Sequence, residues 1–158
     1  MPMRRTVNFL ALLLLVALAF PAGADFNDDG VTDLAVGVPG KSDFAGAITV
    51  LHGVGVTGLS GSGSQLFMQV AGAVEGGDLF GAALAAGNFN GDAFVDLAVG
   101  APAEDVSGAF DAGAVSALYG AAGGLSTAGG QLFTQNSPGV PGGAEDLDSF
   151  GGNFLSAG

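Results

Sequence analysis

The stretch that decides the fold occurs twice, as Asp25-Phe-Asn-Asp-Asp-Gly-Val-Thr-Asp-Leu-Ala-Val-Gly-Val-Pro39 and as Asn88-Phe-Asn-Gly-Asp-Ala-Phe-Val-Asp-Leu-Ala-Val-Gly-Ala-Pro102. Nine of its fifteen positions are identical. Because further matches follow in the same order, the similarity indicates a tandem repeat with insertions in its loops, and not chance likeness between Gly-rich segments. These further matches pair Ala45–Gly53 with Ala112–Gly120, Gln65–Phe67 with Gln131–Phe133, and Asp78–Gly81 with Asp148–Gly151.

The second copy allows the strands of one unit to be predicted. Its apolar residues form short runs between clusters of Gly, Pro, Asn and Asp, without a long 3.6-residue period, which is the pattern of short strands and tight turns. A tight acidic loop at Asn88–Asp96 separates the first two strands. The predicted strands are Phe80–Ala86, Leu97–Val99, Ala114–Tyr119 and Gln131–Gln135.

Four antiparallel strands in a repeat of about 65 residues are typical of a β-propeller blade. We therefore predict an all-β fold made of tandem four-stranded antiparallel blades. A closed ring needs at least four blades. About two are present, so we expect the ring to be incomplete, as in a fragment of a longer product or a protomer that closes by assembly.

Each acidic loop places oxygen-bearing side chains at positions 1, 3, 5 and 9. Ca²⁺ takes six to eight hard oxygen ligands, and a tightly coiled loop can direct alternate side chains toward one centre. The sequence therefore predicts one calcium ion in each loop, with an Asx-rich turn without metal as the alternative. The predicted ligands are Asp25, Asn27, Asp29, Asp33 and the backbone carbonyl of Val31 in the first loop, and Asn88, Asn90, Asp92, Asp96 and the carbonyl of Phe94 in the second.

The two loops are not equivalent. Gly30 permits the positive φ expected at position 6 of the first loop. The second loop has Ala93 there, where a left-handed conformation costs about 1–2 kcal/mol, and the neutral Asn88 at position 1. We therefore expect the second loop to bind calcium more weakly. An EF-hand is excluded because position 12 of the first loop is Val36, where the EF-hand needs a bidentate Glu.

The N-terminal residues resemble a cleaved secretory signal. Arg4 and Arg5 precede an apolar run at Phe9–Phe20, which is shorter than the roughly 20 residues of a membrane-spanning helix. Ala22-Gly-Ala24 supplies the small residues that signal peptidase reads. The alternative is an uncleaved membrane anchor, which the short apolar run and the cleavage pattern disfavour. We divide the chain into a signal peptide (1–24), a first repeat lacking its first strand (25–77), a second repeat (78–147) and the truncated start of a third (148–158).

Charge restricts the partners of the processed chain. From Asp25 onward it keeps one base, Lys41, against fifteen acids, so its formal charge is 1 − 15 = −14. Such a surface repels nucleic acid and anionic lipid and attracts cations. There is no cysteine, so disulfides cannot stabilise an exported chain. We expect secretion to the cell exterior or cell surface, with the periplasm as an alternative, and no membrane span after cleavage.

Two motifs with a superficial likeness to functional sites carry little weight. Gly53–Gly58 fits G-x-G-x-x-G, but the Leu-Ser-Gly-Ser-Gly-Ser that follows cannot begin the helix that binds a pyrophosphate. His52 is the only histidine, and its counterpart in the repeat is Tyr119, which is typical of an amphipathic strand end. The sequence has no nucleophile elbow whose serine could combine with His52 in a catalytic triad. We therefore expect no enzymatic activity.

Phe80-Gly81, the acidic loop and Gly100-Ala101-Pro102 together resemble the FG-GAP repeat, the blade unit of the seven-bladed propeller of integrin alpha subunits and of many bacterial exported proteins. The resemblance covers nearly all of the chain after Asp25. It implies that each acidic loop joins the first two strands of a blade and holds one calcium ion, and that the upper face of the propeller binds partners.

Three functions are compatible with this resemblance. The first is a calcium-stabilised scaffold for adhesion or for binding an extracellular protein or glycan, completed by further blades or by self-association. The second is the propeller segment of an exported hydrolase or phospholipase whose catalytic domain lies elsewhere. The third is a structural component of a surface layer or matrix.

Overall fold

Two antiparallel β-sheets make up the structure, one for each repeat. The computed structural model describes residues 24–69, 74–152 and 155–157, so the predicted signal segment lies outside the described residues, apart from Ala24. No helix in these described ranges is long and apolar enough to cross a membrane. The strands are β1 (Leu34–Gly37), β2 (Ile48–Val54), β3 (Gly58–Phe67), β4 (Ala83–Gly87), β5 (Asp96–Ala101), β6 (Ala114–Ala121) and β7 (Gly124–Phe133), with short helical turns at Lys41–Phe44 and Gly55–Thr57.

The sheets have the order β1-β2-β3 and β4-β5-β6-β7, and every neighbouring pair is antiparallel. The second sheet thus has the four strands predicted for a blade. β1, β2 and β3 correspond to β5, β6 and β7, and both sheets carry a register shift at the same place, between Val50 and His52 and between Ala117 and Tyr119. Two tandem sheets of one design confirm the all-β blade prediction, and they do not close a ring.

Two predicted strand starts were wrong by three or more residues, whereas the other predicted bounds differ from the observed ones by no more than two. The fourth strand begins at Gly124 instead of Gln131, because backbone pairing with β6 recruits a Gly-rich segment that has few β-branched or aromatic residues. The first strand begins at Ala83 instead of Phe80. Phe80 pairs with Gly46 of the preceding repeat, and Gly81 lies against Ala47 of that repeat while its N–H donates to the carbonyl of Gly100 in β5.

One hydrophobic core extends through both repeats. Buried and less buried positions alternate along β1 and the first half of β2, as expected when one face of a sheet is covered by a neighbouring layer. In β5, five of the six residues are buried. Phe80, at the start of the second repeat, is fully buried together with residues of the first. The largest fully buried apolar side chains are Phe26, Ile48, Val50, Phe80, Leu97, Val99 and Leu118.

Backbone atoms join the two repeats where the chain passes Phe80. The Phe80 N–H donates to the carbonyl of Ala45 at 3.1 Å. Gly46 lies beside it with φ +88°, and a Cβ there would be 2.1 Å from the Phe80 carbonyl oxygen. Only glycine permits this approach, because both the conformation and the space exclude a side chain. The same joint recurs farther on, where the Phe150 N–H donates to Ala112 beside Gly113.

A glutamine side chain provides a second link between the repeats. The Gln65 Nε2 donates to the carbonyl of Leu125 at 2.9 Å, and the Leu125 N–H donates to Gln65 Oε1 at 2.9 Å. The amide of Gln65 therefore satisfies both backbone groups of a residue in the other sheet. We call this pair of hydrogen bonds the glutamine clasp.

We predict that Gln65→Ala lowers the free energy of unfolding by about 1–3 kcal/mol, because it removes two hydrogen bonds and leaves partly buried backbone groups unpaired. Thermal melting of dilute protein would measure this. Gln131→Ala, the same change at the equivalent position of the second repeat, is the control and should cost less. Equal melting points for the two variants would contradict a structural role for the clasp.

Candidate functional site

Position 9 of each acidic loop is a buried aspartate. Asp33 is 3% exposed: its Oδ2 accepts a hydrogen bond from the backbone N–H of Phe26 at 2.8 Å, and its Oδ1 accepts one from Gly53 at 2.9 Å. The carboxylate thus joins the start of its own loop to the end of β2. The second loop repeats the arrangement: Asp96, fully buried, accepts from the N–H of Phe89 at 2.7 Å and of Gly120 at 2.8 Å.

Gly53 and Gly120 are site residues that sequence reasoning missed. A Cβ at Gly53 would be 2.4 Å from the carbonyl oxygen of Thr32, and one at Gly120 would be 2.4 Å from that of Val95. The absence of a side chain lets the loop lie directly against the strand, so that the amide reaches the aspartate. Their signal was the recurrence of Gly at the same place in both repeats.

The other oxygen-bearing side chains of the first loop lie nearer the surface and bind loop amides. The Asp25 carboxylate accepts from the N–H of Asp29 at 3.1 Å and of Gly30 at 2.7 Å. Asn27 Oδ1 also accepts from Asp29 N–H at 3.1 Å, and Asp29 Oδ1 accepts from Val31 N–H at 2.9 Å. Positions 1, 3 and 5 therefore wrap one short stretch of backbone, as the prediction of a coiled loop requires.

The second loop is wrapped in a related way. The Oδ1 of Asn88 accepts from the N–H of Gly91 at 2.7 Å, and its Nδ2 donates to the carbonyl of Asp92. Asn90 Oδ1 accepts from Asp92 N–H at 2.9 Å, and Asp92 Oδ1 accepts from Phe94 N–H at 2.8 Å. The two loops share the bonds made by positions 3, 5 and 9 and differ at position 1, where an amide replaces a carboxylate.

The expected strain at Ala93 is not found. Gly30 has φ +81°, as predicted, but Ala93 is absent from the residues with positive φ. Position 4 is left-handed in both loops instead, as Asp28 with φ +59° and Gly91 with φ +79°. The second loop thus has glycine where its conformation requires it, and the expected weaker calcium affinity rests on Asn88 alone.

The carboxylate and amide oxygens of the loops are of the type that binds a hard cation. In the structure these oxygens are arranged to accept hydrogen bonds from the loop backbone. Asp25, Asn27 and Asp29 are half-buried or exposed, whereas Asp33 is turned inward. Across residues 24–69, 74–152 and 155–157, no group of three or more His, Cys, Asp or Glu side chains is arranged to hold a metal ion. A carboxylate has about four acceptor sites, so each loop carboxylate keeps acceptor capacity beside its amide bonds.

His52 lies against the buried carboxylate of the first loop. Its Nδ1 is 3.3 Å from Asp33 Oδ2, and the residue is 8% exposed. Tyr119, at the equivalent place, is half-buried, and its hydroxyl donates to Gln131. His52 therefore packs where the loop meets β2, in agreement with the expected strand-end position.

A second group of acids lies at the joint between the repeats. Asp78 is 3% exposed and Glu104 is 8% exposed, and Gln69 Nε2 donates to Glu104 Oε2 at 2.6 Å. Burial raises the pKa of both carboxyls, and the negative charges of Glu75 and Asp105 add to the effect. A backbone hydrogen bond to Asp78 and the Gln69 bond to Glu104 partly oppose it.

Comparison with known proteins agrees with the repeat architecture. The FG-GAP repeat model matches residues 18–51 and 80–118. Human integrin alpha-D is 39% identical over 80 residues and human integrin alpha-X is 41% identical over 80, in each case 49% of this chain and 7% of the relative. The phosphatidylinositol-glycan-specific phospholipase D of Rattus norvegicus is 41% identical over 88 residues, 51% of this chain and 10% of the relative.

The two repeats of this chain are FG-GAP repeats, related to those of integrin alpha subunits. Their antiparallel sheets are blades of the β-propeller type. The matched stretch is no more than a tenth of the length of these relatives.

We predict that Asp96→Ala destabilises the protein even when calcium is removed by EGTA. The change leaves the N–H groups of Phe89 and Gly120 without an acceptor, which costs about 2–5 kcal/mol. Asp92→Ala, in the exposed part of the same loop, is the matched control and should cost much less under these conditions. Chemical denaturation in EGTA measures both, and equal losses would show that position 9 has no structural role of its own.

We predict that Glu104→Gln raises the melting temperature at pH 7, because it removes a buried charge and keeps an acceptor for Gln69. The pKa of Glu104 is higher in the folded than in the unfolded state. Protonation of Glu104 therefore contributes its full stabilisation at pH values below the ordinary pKa of 4.5. This contribution is lost as the pH rises through the pKa of the folded state. The difference in melting temperature between Glu104→Gln and the parent chain should therefore become smaller as the pH falls toward 4.5.

Melting curves between neutral and mildly acidic pH test this, with the exposed Glu145→Gln as the control for the same change of charge. The buried charge of Glu104 would not be the cause if the increase in melting temperature stayed constant with pH. The same conclusion would follow if Glu145→Gln gave an equal increase.

Proposed function

We propose that the chain is a calcium-binding FG-GAP repeat scaffold that acts outside the cell in adhesion or ligand binding. The observation that carries the proposal is the recurrence of one acidic loop in both repeats, with oxygen-bearing side chains at positions 1, 3 and 5 near the surface and a buried aspartate at position 9. Among the described residues, Lys41 is the only lysine or arginine. Neither acidic loop therefore contains a Lys or Arg side chain.

Calcium is the cation that the donor chemistry favours. Carboxylate, amide and carbonyl oxygens are its ordinary ligands. Asp25, Asn27 and Asp29 would hold the ion in the first loop, with the Val31 carbonyl and Asp33 as the remaining members of the set. Asn88, Asn90, Asp92, the Phe94 carbonyl and Asp96 form the corresponding set in the second. The ion would supply the positive charge that balances these carboxylates.

Binding at the loop would stabilise the blade as a whole. Asp33 accepts hydrogen bonds from both the loop and β2. An ion that fixes the loop would therefore also stabilise its contact with the sheet. An ion that binds only the folded state increases stability in proportion to the logarithm of its concentration. In a chain without cysteine, this is a substitute for covalent cross-links.

The scaffold role, without catalysis, is supported by the nature of the site. His52 is buried in β2 against Asp33. Outside the loops, the buried acids Asp78 and Glu104 lie at the joint between the repeats. The relatives include integrin alpha subunits, and an extracellular protein or glycan is the proposed ligand.

The second candidate function is the propeller segment of an exported hydrolase. The similarity to a phosphatidylinositol-glycan-specific phospholipase D favours it. Gene sequence that continues past Gly158 into a domain with a catalytic set would select this function, whereas further FG-GAP repeats alone would select the scaffold.

We predict that Ca²⁺ raises the melting temperature relative to EGTA, because gathering carboxylates in one loop is unfavourable until a cation neutralises them. Asp29→Asn should reduce this shift more than Asp92→Asn, since the second loop already has a neutral residue at position 1. Calorimetric titration with Ca²⁺ gives the number of sites directly, and Mg²⁺ serves as the control ion. Identical melting curves in Ca²⁺ and in EGTA would leave only a metal-free Asx turn.

A further inference from the structure

The glutamine clasp has a donor half and a receptor half, and each repeat contains both. Within the chain, Gln65 of the first repeat is the donor and the backbone of Leu125 in the second is the receptor. By repeat equivalence, Gln131 is the donor half of the second repeat, and Leu59 is the receptor half of the first. Neither of these two halves has its counterpart within the described residues.

The receptor half at Leu59 has the same backbone setting as the occupied one. Leu59 pairs with Gly53 across β2 and β3 as Leu125 pairs with Gly120 across β6 and β7. The N–H and C=O of Leu125 bind Gln65 and are therefore not used in the ladder with Gly120. The same register leaves the Leu59 N–H and C=O directed to the open edge of β3.

Burial distinguishes the occupied from the open receptor. Leu125 is 4% exposed, whereas Leu59 is 51% exposed. A Cβ at Gly124, the residue before Leu125, would be 2.3 Å from Gln65 Oε1, whereas one at the equivalent Gly58 would have no atom within 4 Å. The space that a glutamine amide fills beside Gly124 is thus open beside Gly58.

The donor half at Gln131 is accessible. Gln131 is exposed, and its Oε1 accepts a hydrogen bond from the hydroxyl of Tyr119. An amide oxygen has two lone pairs, so Oε1 can keep this bond and accept a second one. The segment after the second repeat also lies on Ala112 and Gly113 as Phe80 lies on Ala45 and Gly46. The second repeat therefore presents its next neighbour with the surface that the first presents to it.

We propose that a second copy of this chain docks on the open edge at Gly58–Leu59 and inserts Gln131 as Gln65 is inserted beside Leu125. The contact is head-to-tail, so each copy offers one donor and one receptor and association continues into rings or filaments. The partner is a second copy of the chain because the chain itself contains the matching donor, Gln131. Both copies carry a formal charge of −14 from Asp25 onward, so screening their repulsion with salt should strengthen the association.

The proposal is tested by analytical ultracentrifugation over a range of salt concentrations. The sample is the full chain, purified after any processing by the cells that express it. Gln131→Ala removes the donor. Leu59→Glu places a charge where docking would bury an apolar side chain, at a position exposed enough to leave the fold intact. Val56→Glu adds the same charge at a fully exposed site of the first repeat and is the control.

We expect the parent chain and Val56→Glu to form multimers that grow with salt, and the Gln131→Ala and Leu59→Glu variants to be monomers. A mixture of these two variants should form 1:1 pairs and grow no further, since Gln131→Ala keeps its receptor and Leu59→Glu keeps its donor. A monomeric parent chain, multimers that survive either substitution, or a mixture that stays monomeric would each contradict the proposal.

Discussion

A buried carboxylate at the end of each acidic loop is the interaction on which the rest of the structure depends. Asp33 and Asp96 each accept two backbone amides, one from the start of the loop and one from the neighbouring strand. Hydrogen bonds to a charged group contribute about 1.5–3 kcal/mol each, and they compensate the loss of hydration that burial imposes on the charge. Each repeat thereby fixes the entry of its loop, the direction of the following strand and the edge to which that strand pairs.

Besides the shared hydrophobic core, close backbone contacts join the repeats. Gly46 and Gly113 let the next segment approach so closely that its carbonyl oxygen occupies the place of a side chain. Such contacts give a fixed spacing between successive sheets, because backbone atoms do not adopt alternative rotamers. The glutamine clasp extends the same principle, since an amide side chain reproduces the hydrogen bonds that a neighbouring strand would make.

Acidic residues serve three physical roles in one small chain. The loop acids at the surface are available to a cation, and the position-9 aspartates organise the backbone. Asp78 and Glu104 lie buried at the joint, where the pKa of each is raised, so the joint carries an electrostatic cost at neutral pH. The residue type is nearly the same throughout, and burial together with hydrogen-bond partners separates the roles.

The sequence by itself determined the repeat, the blade architecture and the oxygen pattern of the loops, because these depend on local spacing: alternation along a strand, and Asn, Asp and Gly at fixed intervals in a tight turn. It could not determine the full length of the fourth strand, since Gly124 and the small residues after it become a strand only by pairing with β6. It misplaced the left-handed residue of the second loop, because the hydrogen bonds of the folded loop, and not the position of a single residue, set the backbone angles. Only the tertiary structure showed that Asp33 reaches Gly53 and that Gln65 reaches Leu125, 60 residues away. These contacts join residues distant in sequence, and their geometry exists only once the sheets have packed.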